Sequence, residues 1–242
     1  MLRSAAEEDS EKVLLEGAVE AQFEGEFETH LTVRLDPRAD DGTRDAREAD
    51  RLGCWAELNG LKLTRILLDR GATPDQPMLT ERGRGSLSGQ RAAAGLRSAE
   101  LRAAGFAVIR VKIEAAPWNE DIPRTADEAA ALSPDCHFEH HVKLLLTGEP
   151  QLAVARAVAG RHGARLSRNA RRTTGPGRHE RFVTQRCHAV GRAEARAELD
   201  ALLGGLAAAG LEVLEIEEEF VVHDDHPAVD AGWLDVRAGV SL

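Results

Sequence analysis

The sequence predicts an α+β protein built from two tandem ferredoxin-like lobes, related by pseudo-twofold symmetry and facing each other across a central cleft. Three observations predict it. The chain carries the same marks twice in the same order, each copy reads β-α-β-β-α-β, and 242 residues at 43% hydrophobic suffice for two packed units of about 100–120 residues each. The marks are Phe27-Glu28-Thr29-His30-Leu31-Thr32-Val33 against Phe138-Glu139-His140-His141-Val142-Lys143-Leu144. Then come Lys62-Leu63-Thr64-Arg65 against Arg165-Leu166-Ser167-Arg168, and Met78-Leu79-Thr80-Glu81-Arg82 against Phe182-Val183-Thr184-Gln185-Arg186. Last, Ala104-Gly105-Phe106 answers Ala209-Gly210-Leu211, and Glu114 falls where Glu219 does. The offset is 111 residues at the histidines and 103–105 afterwards.

In the first copy, Phe27, Leu31 and Val33 alternate with Glu28, His30 and Thr32, the period of a half-buried strand. A helix follows over Ala46 to Leu58, then a strand over Leu61 to Leu68, a turn over Gly71 to Pro77 and a third strand from Met78 to Arg82. Leu87 to Ala104 is a long Ala- and Leu-rich helix, with Gly105 where a left-handed C-terminal residue belongs, and Phe106 to Ala115 is the last strand. The second copy gives a strand at Phe138–Leu146, a helix at Pro150–His162, a hairpin at Arg165–Arg172 and Arg181–His188, a helix at Arg192–Ala209 and a strand at Leu211–Val222. This order is the ferredoxin-like plait, with two helices on one face of a four-stranded sheet. The divisions are an acidic tail or helix at 1–22, a lobe at 23–117, a linker at 118–135, a lobe at 136–227, and a tail at 228–242 with room for an edge strand.

Composition narrows function. Net charge is −10 and the pI about 5.4, which disfavours a nucleic-acid partner held by a basic field. Aromatics are 4% and tyrosine is absent, so a base-stacking platform is not expected. No apolar run approaches the ~20 residues of a membrane helix, and the first 22 residues lack a basic-then-apolar leader. The expectation is a cytoplasmic protein with no membrane partner, its oligomeric state left open. Cys54, Cys136 and Cys187 are odd in number and widely spaced, so neither a disulfide framework nor a zinc knuckle is indicated.

Strand alternation sends Glu28, His30 and Thr32, and Glu139, His141 and Lys143, to the helix-free faces, with Thr80, Arg82, Thr184 and Arg186 beside them. The second strands add Lys62 and Thr64 or Arg65, and Arg165 and Ser167 or Arg168; alternation alone leaves that register open. The last strands add Arg110, Lys112 and Glu114, and Glu215, Glu217 and Glu219. Guanidinium groups and hydroxyls suit phosphate or carboxylate, imidazoles move protons near neutrality, and carboxylates orient imidazoles or hold a divalent metal. The catalytic candidates are therefore His30, His141, Glu28 and Glu139. The substrate-binding candidates are Thr32, Lys143, Arg82, Arg186, Lys62, Arg65, Arg165 and Arg168. A divalent metal is the one cofactor left open, with Glu26, Glu28, His137, Glu139, Glu114 and Glu219 as its candidate ligands. An exposed sheet face is polar simply because it meets water, and pairing of Arg82 with Glu28 and of Arg186 with Glu139 would be structural. Retention of the same residue types in both copies is what favours a site. Weaker signals are the His223–Pro227 turn, the glycine-flanked helix start at Gly83–Leu87 and the basic stretch from Arg168 to Arg178.

His30-Leu31-Thr32-Val33 resembles the His-x-Thr/Ser element of the two-histidine phosphoesterases, whose two related lobes each give one such element to a central cleft. That resemblance implies an acid–base pair of His30 and His141, with Thr32 on the phosphate. The second copy departs from it, with Lys143 where a hydroxyl belongs. Glu26-Phe27-Glu28-Thr29-His30 and Glu139-His140-His141-Val142-Lys143 also resemble the Glu-x-Glu-x-Lys opening of the CYTH triphosphate-processing enzymes, the first without its lysine and the second with histidine in the middle. The expected function is a hydrolase acting on a small phosphate ester or nucleotide-like anion. The alternatives are a metal-dependent triphosphate enzyme and a non-catalytic anion-binding or scaffolding protein.

Overall fold

A computed structural model of the chain describes residues 22–35, 43–170 and 177–234. The expected acidic tail and the middle of the basic loop fall outside them. Eight strands form one closed antiparallel barrel: β1 (Glu24–Arg34), β2 (Lys62–Leu68), β3 (Asp75–Ser86), β4 (Ala107–Ala115), β5 (His137–Thr147), β6 (Arg165–Asn169), β7 (Arg178–His188) and β8 (Glu212–Asp224). Around the ring the order is β1-β3-β2-β6-β7-β5-β8-β4. Each half thus contributes its strands in the order fourth, first, third, second. The expected cleft between two separate sheets is corrected to a single barrel. Leu67 pairs with Arg168 and Glu114 with Val221, and these two seams close the ring. Closure leaves no open sheet edge to attract a foreign strand.

The helices α1 (Thr43–Leu58), α2 (Leu87–Ala103), α3 (Ala126–Ala130), α4 (Gly148–Arg161) and α5 (Arg192–Ala208) accompany the strands. α5 buries Ala195, Leu199, Leu202 and Leu206, spaced by three or four residues along one face. That face and Leu152, Ala155 and Val158 of α4 pack on Val142, Leu144 and Leu146 of β5. In the first half Leu52 and Leu101 meet Leu31, Val33 and Leu79 in the same way. On β1 and β5 the apolar side therefore faces outward to the helices and the polar side faces the interior, whereas Ile66, Leu68, Met78 and Phe182 put apolar groups inside as well. Gly105 and Gly210, at φ +84° and +67°, end α2 and α5 in the left-handed conformation that a Cβ disfavours.

Several boundaries differ from expectation. β3 begins at Asp75 and runs on to Ser86, because its ladder with β1 continues through Gly83↔Phe27 and Gly85↔Gly25. The linker is a packed strap rather than a spacer. Ile122 is buried, and Asn119 exchanges hydrogen bonds with the backbone of Glu26, Nδ2 donating at 3.0 Å and Oδ1 accepting at 3.2 Å. The C-terminal segment adds no edge strand among the described residues, since closure leaves no edge. A 3-10 turn at Pro227–Asp230 instead brings Asp230, Trp233 and Leu234 into the protein interior. Among the described residues no helix is long and apolar enough to cross a membrane.

Candidate functional site

An eight-stranded barrel has an interior just wide enough for side chains or one small ligand. Here the interior is mixed, polar around Glu28, His30, Glu139 and His141 and apolar around Ile66, Leu68, Met78, Phe182 and Trp233, and it retains a cavity of about 130 Å³. Glu28, His30 and Thr32 of β1 line it together with Glu139 and His141 of β5. A wider vestibule of about 570 Å³ lies outside it, past Trp118 and Arg84, and shares Glu28, Glu217 and Glu219 with the cavity.

Two matched units converge there. His30 sits across from Thr80 on one neighbouring strand and from Lys112 on the other; His141 sits across from Thr184 and Glu217. Each imidazole is held by its threonine, with Nδ1 to Oγ1 at 3.0 Å in both cases. Each turns Nε2 toward carboxylates. His30 Nε2 lies 2.6 Å from Glu114 Oε2 and 3.8 Å from Glu28 Oε1. His141 Nε2 lies 3.2 Å from Glu139 Oε1 and 3.5 Å from Glu219 Oε2. The His30 side chain is 8% exposed and that of His141 is 22% exposed, so His141 is the more open to the cavity. The sheet irregularities also match: β1 slips against β4 after Thr32, and β5 slips against β8 after Lys143, the corresponding position.

Below the histidines lies a buried charge network. Lys112 Nζ is 2.5 Å from Glu114 and 2.8 Å from Glu139. Arg110 bridges Asp224 at 2.5 Å and Asp230 at 3.0 Å, and Arg186 bridges Glu139 at 2.5 Å and Asp230 at 2.6 Å. Burial alone would raise the Glu139 carboxyl, but Arg186 and Lys112 hold it well below the ordinary range. Burial opposes ionisation of Glu114 too, and Lys112 and His30 reverse it. Asp230 is kept low against burial by Arg110 and Arg186. Glu219 is the exception: burial, then the adjacent Glu114 carboxylate, push it well above its ordinary value. Among the described residues, two sets place potential metal-ligand atoms within 4.8 Å of one another: Glu28, His30 and Glu219, and Glu114, Glu139 and His141.

The structure brings some expected residues to the cavity and sends others elsewhere. The open register resolves with Lys62, Thr64 and Ser167 on the cavity wall. Arg65 points away, bonded to Asp75 at 2.5–3.1 Å. Arg165 lies in a surface groove with Asp69 and Arg156, and Arg168 is exposed. Lys143 is drawn off by Glu215 at 3.2 Å and Glu180 at 3.9 Å and does not line the cavity. Arg82, with a side chain 81% exposed, bonds Glu28 at 2.9 Å at the mouth, and Glu26 pairs with Arg84 there. His137 is off the cavity, with Nδ1 2.7 Å from the Asp135 carbonyl and its ring 4.4 Å from His188. At the glycine-flanked helix start, Ser86 Oγ itself accepts the Gly89 amide. Asp230 and Trp233 were missed. The available signal was Val229, Trp233 and Leu234, a cluster of large apolar residues in a presumed tail that needed somewhere to bury.

No described protein family matches the chain, and no curated protein does. Similar solved structures include the acetolactate synthase small subunit of Thermotoga maritima, at 12% identity, covering 80% of this chain and 92% of that one, with a TM-score of 0.26. A chlorite dismutase from Candidatus Nitrospira defluvii in complex with imidazole is 13% identical, covering 88% and 94%, also at 0.26. A protein of unknown function from Galdieria sulphuraria is 14% identical, covering 81% and 98%, at 0.22. Similarity at this level carries no functional argument. Both resemblances drawn from the sequence are corrected: these similar structures are neither two-histidine phosphoesterases nor CYTH enzymes.

Proposed function

We propose that the chain is a hydrolase acting inside its barrel on a compact anionic ester of the phosphate type, with His141 as the group that moves the proton. The observation that carries this reading is the setting of His141. Thr184 fixes its Nδ1, Glu139 and Glu219 flank its Nε2, and the ring edge opens on the cavity. An imidazole oriented by a buried carboxylate beside a ligand-sized space is the arrangement general acid–base catalysis requires. His30 is the more buried partner, with Nε2 2.6 Å from Glu114 Oε2. A cavity of about 130 Å³ has room for about four waters, which suits the reacting group of a small ester while the remainder lies in the vestibule. Lys62 and the hydroxyls of Thr32, Thr64 and Ser167 ring that space and suit oxyanion oxygens.

Two tandem ferredoxin-like lobes, fused by duplication and closed into one ring, are the architecture we propose for this site. The unpaired thiols of Cys136 and Cys187 fit a reducing, cytoplasmic setting. The test is turnover of a panel of small phosphate monoesters and diesters by the full chain and by His141→Ala. General acid–base catalysis contributes about 10²–10⁴-fold, so the variant should lose at least about a hundredfold in kcat while its thermal unfolding stays close to wild type. Equal rates in the two proteins, or no turnover by the wild-type chain, overturn the proposal; the second result leaves a binding protein.

A further inference from the structure

The two histidine units differ at one telling position. On β4, Lys112 stands two residues before Glu114; at the matching place on β8, Glu217 stands two residues before Glu219. In one unit, Arg186 takes Glu139 Oε2, and Lys112 Nζ then fills the space between Glu139 Oε1 and Glu114 Oε1 beside His141. That unit carries its own cation. In the other unit, Arg82 takes Glu28 Oε2 in the same fashion, which leaves Glu28 Oε1 facing His30 Nε2. The residue matching Lys112 is Glu217, which adds a carboxylate to the shared wall instead of an ammonium.

We infer that a divalent cation binds at Glu28, His30 and Glu219, and that it is the sole metal of the barrel because Lys112 occupies the corresponding place among Glu114, Glu139 and His141. Two observations support this besides the ligand set. Thr80 Oγ1, 3.0 Å from His30 Nδ1, can accept the proton that must sit on Nδ1 when Nε2 binds a metal. Glu28 and Glu219 line both the cavity and the vestibule, so an ion has an entry route. One imidazole with two carboxylates suits Mn²⁺, Fe²⁺ or Zn²⁺. The assignment is independent of the hydrolase reading: a chain that binds metal and hydrolyses nothing upholds this inference and overturns the other.

The experiment uses the full chain, stripped with chelator and titrated with Mn²⁺, with free metal followed by electron paramagnetic resonance. The expected result is one Mn²⁺ per chain with a Kd below about 1 mM. Glu217→Lys places an ammonium where Lys112 has one in the other unit and should abolish binding. Glu217→Gln, which adds no cation, should still bind one ion. Glu217 is exposed, and thermal unfolding verifies that both variants fold. Zero or two ions bound by the wild-type chain overturns the inference, and so does Glu217→Lys binding like wild type. Loss of binding in Glu217→Gln overturns the ligand assignment. Should Glu217→Lys fail to fold, the wild-type stoichiometry alone still decides.

Discussion

Asp230 is the sharpest test of how the barrel floor is held. It is 2% exposed and accepts from Arg110 at 3.0 Å, from Arg186 at 2.6 Å and from Gln76 Nε2 at 3.0 Å. Asp230→Asn keeps the shape and removes the charge between two buried guanidinium groups. Breaking a buried ion pair costs about 3–5 kcal/mol, because the partner stays buried without its counter-charge. Arg110 retains Asp224 and Arg186 retains Glu139, so the lower end applies and the expected loss is about 3 kcal/mol. For a chain of this size that is a fall in Tm of about 6–12 °C, measurable by thermal unfolding, with urea titration giving the free energy directly. The control is Arg82→Ala. Its ion pair with Glu28 has similar geometry at 2.9 Å but is open to solvent, and should cost less than about 1 kcal/mol. If Asp230→Asn loses no more than Arg82→Ala, the buried network does not hold the C-terminal turn and the reasoning is wrong.

Two further outcomes follow from burial. His188 is shifted down to about 4, by burial first and then by the neighbouring His137. Between its ordinary value near 6.5 and about 4 the unfolded chain binds the proton and the folded chain resists it, so this contribution weakens the fold as pH falls through that window. The drop in urea midpoint from pH 7 to pH 5 should shrink in His188→Gln; an unchanged drop refutes it. Leu144 is fully buried between β5 and helices α4 and α5, so Leu144→Ala should cost about 2–5 kcal/mol in urea unfolding, and a loss below about 1 kcal/mol would show that the helix layer is not packed there.

Much of the secondary structure was legible because its signals are local. The alternation of Phe27, Leu31 and Val33 with Glu28, His30 and Thr32 states which side of β1 meets helices, and the structure keeps that sorting. The ring was not legible. Its seams are backbone ladders between distant strands, such as Leu67 with Arg168, and a backbone hydrogen bond leaves no mark on side-chain pattern. Repetition located the histidines and their glutamates, since sameness between halves is visible. It placed Lys112 and its counterpart Glu217 on the same face but not the ion pairs of Lys112 with Glu114 and Glu139, which distances reveal. The apolar residues around Asp230 hinted that it is buried, but not its pairing, because its partners Arg110 and Arg186 lie 120 and 44 residues away.

The two seams also say something about cutting the chain. A lone half would present the outer margins of two strands with unmet amides and carbonyls, and its polar side would lack the wall that now faces it. Such a fragment has one economical remedy, which is to find a second copy and complete the circle as a symmetric dimer. The single chain holds both halves in one ring, with Lys112 on one and Glu217 at the matching place on the other.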